Sequence, residues 1–243
     1  MKITVLGRWG AYPEPGEATA GYLLETDKHK ILLDCGSGVL ANLFKIIRPE
    51  ELTAVFISHY HYDHIADLGC LLYASKFAMV FKKRSEPLPV YGHKASPRFS
   101  ELSFREYTVG KEIHPEITVS INDLQVSFRQ TIHEEYNLAM RFEYQNKVLV
   151  YTGDLGPKSQ ITDFCNGADL LICETSLFAH EGGMFPGHMT SRETAELAAA
   201  SGAKELLLTH FPHLGDISKM AQEAACYYEG KIHLAEINKS IVI

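Results

Sequence analysis

Ser58-His59-Tyr60-His61-Tyr62-Asp63-His64 puts three histidines and a carboxylate within six positions, directly behind the apolar run Val55–Ser58. In an extended segment residues i and i+2 point the same way, so His59 and His61 can share one metal ion. Asp63 and His64 fall where the chain turns into a helical pattern, and can face a neighbouring ion. Imidazole and carboxylate are the usual donors for catalytic zinc, which keeps one position open for water. A histidine-rich polar turn could arise without chemistry, but three more donors follow strand-like runs: His133 after Val126–Ile132, Asp154 after Val148–Gly153 and His210 after Leu206–Thr209. Active sites of α/β proteins are built where the C-terminal ends of strands converge. Seven donors suffice for two ions if one carboxylate bridges: His59, His61 and His133 for one, Asp63, His64 and His210 for the other, Asp154 between. A hydroxide bridging such a pair would be the nucleophile, its pKa lowered by the metals, which also take up charge developing on substrate oxygens.

The elements that must position these donors can be read from periodicity. Lys2–Leu6 is a short β-rich run, and Gly21–Thr26 with Lys30–Asp34 reads as a hairpin about Asp27-Lys28-His29. Asp34-Cys35-Gly36-Ser37-Gly38 is a turn, residues 39–47 are helical, and Ile65–Phe81 has the length and period of a buried helix. Strands are predicted at 88–91, 117–121, 125–131, 138–144, Val148–Thr152 and Leu170–Glu174. Thr190-Ser191-Arg192-Glu193 has capping-box spacing, with Gly202 closing that helix. Glu205–Thr209 is a strand, 217–228 a helix, and 232–235 and 240–243 terminal strands. The order strands, helix, strands, then βαβα predicts an α/β sandwich of two sheets with helices outside.

The chain has 243 residues, 46% hydrophobic and 22% charged. That is enough to bury a sizeable core as a single domain spanning 1-243, and it is the composition of a globular protein. No run approaches the ~18 apolar residues of a membrane span, and Met-Lys-Ile-Thr-Val-Leu-Gly is too short for a secretory signal, so the expected compartment is cytoplasmic and no membrane partner is expected. The five cysteines, at 35, 70, 165, 173 and 226, form no CxxC pair, which argues against a disulfide framework or a thiolate zinc site. A net charge of −7 disfavours a broad nucleic-acid-binding face.

His-x-His-x-Asp-His followed in order by isolated His, Asp and His resembles the metallo-β-lactamase superfamily. Leu6-Gly7, Leu33-Asp34-Cys35-Gly36, Tyr151-Thr152-Gly153-Asp154 and Leu208-Thr209-His210-Phe211 also fall in family order, so the resemblance covers nearly the whole chain. It implies an αββα fold and a dinuclear zinc hydrolase, and it carries the ligand roles to the seven residues named; manganese or iron would also suit a His/Asp site. Gly187-His188-Met189-Thr190 is similar to the His-x-Thr element of RNase Z-like phosphodiesterases. His133-Glu134-Glu135-Tyr136-Asn137-Leu138-Ala139-Met140-Arg141-Phe142-Glu143 is similar to their third motif. The implied reaction is cleavage of a phosphodiester. His188 precedes a helix N-terminus, where main-chain N–H groups bind anions, and it could hold a phosphate oxygen or protonate the leaving alkoxide. Glu174 is a candidate to orient His188, and the resemblance implies that Asp63 accepts a proton during attack.

Only 33 residues separate Asp154 from His188, without the long Gly/Pro- and Lys-rich arm with which RNase Z is expected to grip tRNA. The nearest basic patch is Lys82, Lys83, Arg84, Lys94 and Arg98. The expected substrate is therefore a small, cyclic or RNA phosphodiester, with nucleic acid left open as a partner and a homodimer implied by the resemblance. Three other readings stand beside it: a tRNA 3′-end endonuclease, a carboxylic ester, lactone or thioester hydrolase of the same superfamily, and a non-catalytic metal-binding protein. His93, His180 and His213 lie near site elements without an assigned role.

Overall fold

The computed structural model describes residues 1–243. In chain order the strands are β1 (Lys2–Gly7), β2 (Gly21–Glu25), β3 (Lys30–Leu33), β4 (Ala54–Phe56), β5 (Leu88–Gly92), β6 (Thr108–Glu112), β7 (Thr118–Ile121), β8 (Leu124–Gln130), β9 (Leu138–Tyr144), β10 (Lys147–Tyr151), β11 (Leu170–Glu174), β12 (Glu205–Thr209), β13 (Lys231–Leu234) and β14 (Ser240–Val242). The α-helices are α1 (Val39–Leu43), α2 (Tyr62–Ile65), α3 (Leu68–Val80), α4 (Ser191–Ala200) and α5 (Ser218–Ala224). The chain divides into two compact units, Met1–Ile113 with Glu236–Val242, and His114–Ala235 with Ile243.

The first unit is built on a seven-stranded sheet of order β14-β1-β2-β3-β4-β5-β6. Alternate residues Leu6, Leu23, Leu32, Val55 and Val90 pack against Val39, Leu43, Leu68 and Leu71 of the helices. Each such side chain contributes about 1.5–3 kcal/mol by leaving water. β3, β4 and β5 run parallel, so Asp34, the histidine cluster and His93 all leave the sheet at one edge.

The second unit has a seven-stranded sheet of order β13-β12-β11-β10-β9-β8-β7. β10, β11, β12 and β13 are parallel, while β8 is antiparallel to β9 and β9 to β10. β8 thus shares the direction of β10, and the residues following β8, β10, β11 and β12 emerge at the same edge. The predicted capping box is present: Thr190 Oγ1 accepts from Glu193 N at 3.1 Å and Glu193 Oε2 accepts from Thr190 N at 2.9 Å.

Three helices differ from expectation. The stretch read as 39–47 is helical only over Val39–Leu43, and 217–228 only over Ser218–Ala224. Ile65–Phe81 is broken at Ala66-Asp67, because Asp67 is pinned: its N–H donates to Cys35 O and its Oδ2 accepts from Leu40 N. Nor is that helix buried on all sides, since α3 buries only Leu68, Leu71, Ser75 and Ala78. β6 was not predicted; its sequence Thr-Val-Gly-Lys-Glu has too few apolar residues to show a period, and it forms as an edge strand on β5. No helix is long and apolar enough to cross a membrane. All five cysteines are free, with Cys35, Cys165 and Cys173 buried.

Candidate metal centre

In the first unit Asp34 N donates to Phe56 O, which sets the end of β3 beside the end of β4. Residues 57–61 form an irregular segment with a bend at Ser58, and His61 has the φ −62° and ψ 148° of a helix N-cap. Asp63 and His64 then occupy the first turn of α2. His59 Nε2 and His61 Nδ1 lie 3.1 Å apart, as the i, i+2 spacing predicts for atoms aimed at one point. Asp63 Oδ2 is 3.6 Å from His64 Nε2 and accepts Ala11 N at 2.8 Å.

In the second unit His133, Asp154 and His210 meet at the sheet edge. Asp154 Oδ2 lies 3.7 Å from His133 Nε2 and 3.4 Å from His210 Nε2, with the carboxylate 2% exposed. Asp154, His188 and His210 each place a donor atom within 4.8 Å of the others. Gly156 lets this edge close, because a Cβ there would lie 1.8 Å from Pro186 O, in the loop that delivers His188.

The hydrogen-bond network assigns the tautomers. His64 Nδ1–H donates to Asp34 Oδ2 at 2.7 Å. Ser58 gives Asp34 both its N–H and its hydroxyl, each at 2.7 Å, so its Oγ accepts His59 Nδ1–H at 3.1 Å. His133 Nδ1–H donates to Gly187 O at 3.1 Å. Ser176 Oγ–H donates to Glu174 Oε2 at 2.7 Å and accepts His210 Nδ1–H at 2.9 Å. In all four rings the lone pair is therefore on Nε2, the protonation state a metal ligand needs. Both units use one device: a buried carboxylate at a strand end, working directly on one imidazole and through a serine hydroxyl on another. Asp34 serves His64 and His59; Glu174 serves His188, at 2.9 Å, and His210. Asp34 and His210 have φ of 54° and 58°, a left-handed backbone costing on the order of 1–3 kcal/mol each, which the surrounding structure must hold.

The family described as Beta-lactamase superfamily domain matches residues 29–211 of this sequence, a span that begins before Asp34 and ends just past His210. The chain belongs to the β-lactamase superfamily. It is 38% identical over 237 residues to the probable metallo-hydrolase YhfI of Bacillus subtilis, covering 97% of each. The crystal structure of YhfI, a metallo-β-lactamase fold protein, superposes with a TM-score of 0.94 over 99% of this chain and 98% of that one. Ribonuclease Z of Methanothermobacter thermautotrophicus is 25% identical, with 93% of this chain and 91% of that one covered. The human tRNase Z short form shares the fold at a TM-score of 0.79 and 23% identity, over 100% of this chain and 99% of that one. This superfamily member has the metallo-β-lactamase fold that its sequence predicts, with a mixed seven-stranded sheet in each unit, and is a metallo-hydrolase.

Sequence reasoning named the superfamily donors but missed what holds them. The sequence marks Asp34 as part of a turn in family order and gives it no role toward the histidines, although a carboxylate directly after the apolar strand Ile31–Leu33 is a signal of the same kind as the histidines after β4. Ser176, at i+2 from Glu174, carried no signal beyond that spacing. His93 is buried under Tyr60, whose hydroxyl donates to His93 O at 2.8 Å. His180 stacks on Phe178 with ring centroids 6.1 Å apart.

Asp34→Ala is expected to weaken metal binding about 10–100-fold, because His64 and His59 lose the group that fixes their tautomers. It should also lower the stability of the metal-free protein by ~1–3 kcal/mol, since the buried N–H and hydroxyl of Ser58 lose their acceptor. Chelator competition and denaturant unfolding measure the two effects separately; wild-type affinity in the variant would show that Asp34 does not set the tautomers.

Proposed function

We propose that the two units act as one hydrolase domain, a phosphodiesterase with a dinuclear centre. His59, His61 and His133 would hold one zinc ion, Asp63, His64 and His210 the other, and Asp154 would reach both; manganese or iron would fit the same donors. The donor chemistry supports the fit: four imidazoles whose Nδ1–H is already engaged, two carboxylates, and His61 presenting Nδ1 beside His59 Nε2. When bound, such ions supply Lewis acidity and make water acidic enough to serve as a nucleophile near neutral pH.

The observation that carries the choice of reaction is the pairing of His188 with Glu174. Nδ1–H of His188 donates to Glu174 Oε1 at 2.9 Å, while the side chain keeps 24% of its exposure and its ring lies 5.0 Å from that of His133 and 5.7 Å from that of His210. A carboxylate-held imidazole beside the ligand histidines is placed to exchange a proton with substrate through Nε2. Protonated, it gives that proton to the oxygen leaving phosphorus, and it also neutralises a phosphoryl oxygen. A carbonyl ester or lactone has less use for a cation there. Asp63, with Oδ2 held by Ala11 N, accepts a proton during attack.

A pocket of about 320 Å³ beside His133 and His188, walled by Ile132 and Phe185, is at the small end of ligand sites. With a net charge of −7 this favours a small or cyclic phosphodiester over tRNA. Ribonuclease Z among the relatives supports phosphodiester chemistry. Five free cysteines suit a cytoplasmic location.

The zinc- or manganese-loaded protein is expected to turn over bis(p-nitrophenyl) phosphate well above matched p-nitrophenyl esters, lactones and thioesters. The reverse preference would assign the centre to carbonyl substrates. Bound metal without turnover of any class would make the protein a non-catalytic member.

A further inference from the structure

The residue between the first two histidines of the cluster is buried as well, and its side chain goes elsewhere. His59 and His61 bring their ring nitrogens together, whereas Tyr60 is 2% exposed within the apolar cluster of Leu88, Val90 and Leu102. The Tyr60 hydroxyl donates to His93 O at 2.8 Å, and its ring meets that of His93 edge-on, with centroids 4.6 Å apart. This contact prolongs the pairing of two strands. β4 and β5 are parallel, and just past the end of β4 Ile57 N donates to Tyr91 O at 2.9 Å. At Ser58 the chain bends, and residues 58–61 belong to neither strand nor helix. Tyr60 ties that segment back to the chain leaving β5, two residues along from Tyr91.

Gly92 indicates that the fold is built around this hydroxyl. Its backbone is not left-handed, so no conformational demand selects glycine there. A Cβ built on it would instead lie 2.5 Å from Tyr60 Oη and 2.7 Å from Leu102 Cδ1. The leucine methyl is the far end of a flexible side chain and can give way. The phenol oxygen is held by its hydrogen bond, so the bare backbone at Gly92 is the room in which it reaches the carbonyl.

We propose that Tyr60 is a positioning residue for the metal centre, its hydroxyl on His93 O fixing the aim of His59 and His61. The proposal rests on the reading of those two histidines as ligands of one ion. Donor atoms of a working site must be held within about 0.5 Å of their productive places. Ser58 Oγ sets the rotation of the His59 ring, but the aim of a ring also depends on the backbone that carries it. Tyr60 lies between the two ligands and is the side chain through which that backbone is anchored to β5. His64 differs, because it sits inside α2 and donates to Asp34. Loss of the Tyr60 anchor should therefore fall mainly on the ion that His59 and His61 would share.

Cobalt(II) is the probe, since its visible absorption reports the geometry of its donors and His/Asp sites accept it. In a competition titration of the metal-free full chain, Tyr60→Phe is expected to weaken one of two binding steps about tenfold, the low end of what outer partners of ligands contribute. The absorption belonging to that step should change with it. A tyrosine that only filled the core would lower the denaturant midpoint of the metal-free protein and leave the spectrum as it was. Gly92→Ala keeps the hydroxyl and takes its room, so it should reproduce the loss. Combining it with Tyr60→Phe should then weaken binding no further than either change alone, whereas independent effects would multiply to about 100-fold. Wild-type affinity and spectrum in Tyr60→Phe would overturn the proposal, and so would losses that multiply in the double variant. A wild type that bound no cobalt would instead remove the ligand reading, and the proposal with it.

Discussion

His188→Ala is expected to lower phosphodiester turnover by on the order of 10²-fold or more, with both metal ions still bound. The residue pairs with Glu174 rather than serving among the seven proposed ligands, so metal content measured by mass spectrometry should not change. A general acid is needed in proportion to how poor the leaving group is. The deficit should therefore be larger for a diester with an alkoxide leaving group than for one releasing p-nitrophenolate. If His188 only held a phosphoryl oxygen, the loss would be uniform across leaving groups and would be felt in KM as well as in kcat. Glu174→Gln keeps a hydrogen-bond acceptor but removes the charge, and a smaller deficit in kcat is expected there. The alkaline limb of the pH–rate profile should be lost in His188→Ala, because the group whose deprotonation produces it is gone. Turnover unchanged by the substitution would remove the main support for phosphodiester chemistry while leaving the metal centre intact.

Asp154→Asn should be more severe, at about 10³-fold or more, or ~4 kcal/mol at 1.36 kcal/mol per decade. Asp154 is the donor proposed to reach both ions, and its Oδ2 already lies within 3.7 Å of His133 Nε2 and 3.4 Å of His210 Nε2. An amide oxygen keeps the shape and gives up the negative charge that a pair of dications requires. Metal content is expected to fall from two ions per chain toward one or none. The variant should still fold, because the backbone of Asp154 is held independently: Thr131 Oγ1 donates to its carbonyl at 2.8 Å and its N–H donates to Asn137 Oδ1 at 3.3 Å. Two ions retained at wild-type affinity would exclude Asp154 as a shared ligand.

The sites of these two predictions were legible in the sequence to different degrees. Asp154 follows an apolar run and sits in Gly-Asp-Leu-Gly, and His59 to His64 form a run that is hard to mistake. Such features are local, so a linear reading finds them. The pairing of Glu174 with His188 has no local signature, since 13 residues separate them. The structure brings them to 2.9 Å because Leu177, three residues past Glu174, bonds to Met189 and Ser191, which folds the intervening loop back and sets His188 beside the end of β11.

Strand and helix types came from periodicity and, for most elements, agree with the structure. The disagreements have a common cause. β6 forms only because the parallel edge of β5 offers hydrogen-bond partners, and the helical run after His64 breaks where Asp67 is claimed by Cys35 and Leu40. In both cases a contact distant in sequence outweighs a local preference.

By itself the sequence determined the donor types, their order, the two-sheet class and the superfamily, because these depend on residue chemistry and on spacings of two to four positions. The tertiary structure decided which nitrogen carries the lone pair in His59, His64, His133 and His210, that Asp34 and Glu174 act through Ser58 and Ser176, and that α3 is left half uncovered. Those outcomes depend on hydrogen bonds and burial between segments that only the folded sheets bring together, and no local spacing encodes them.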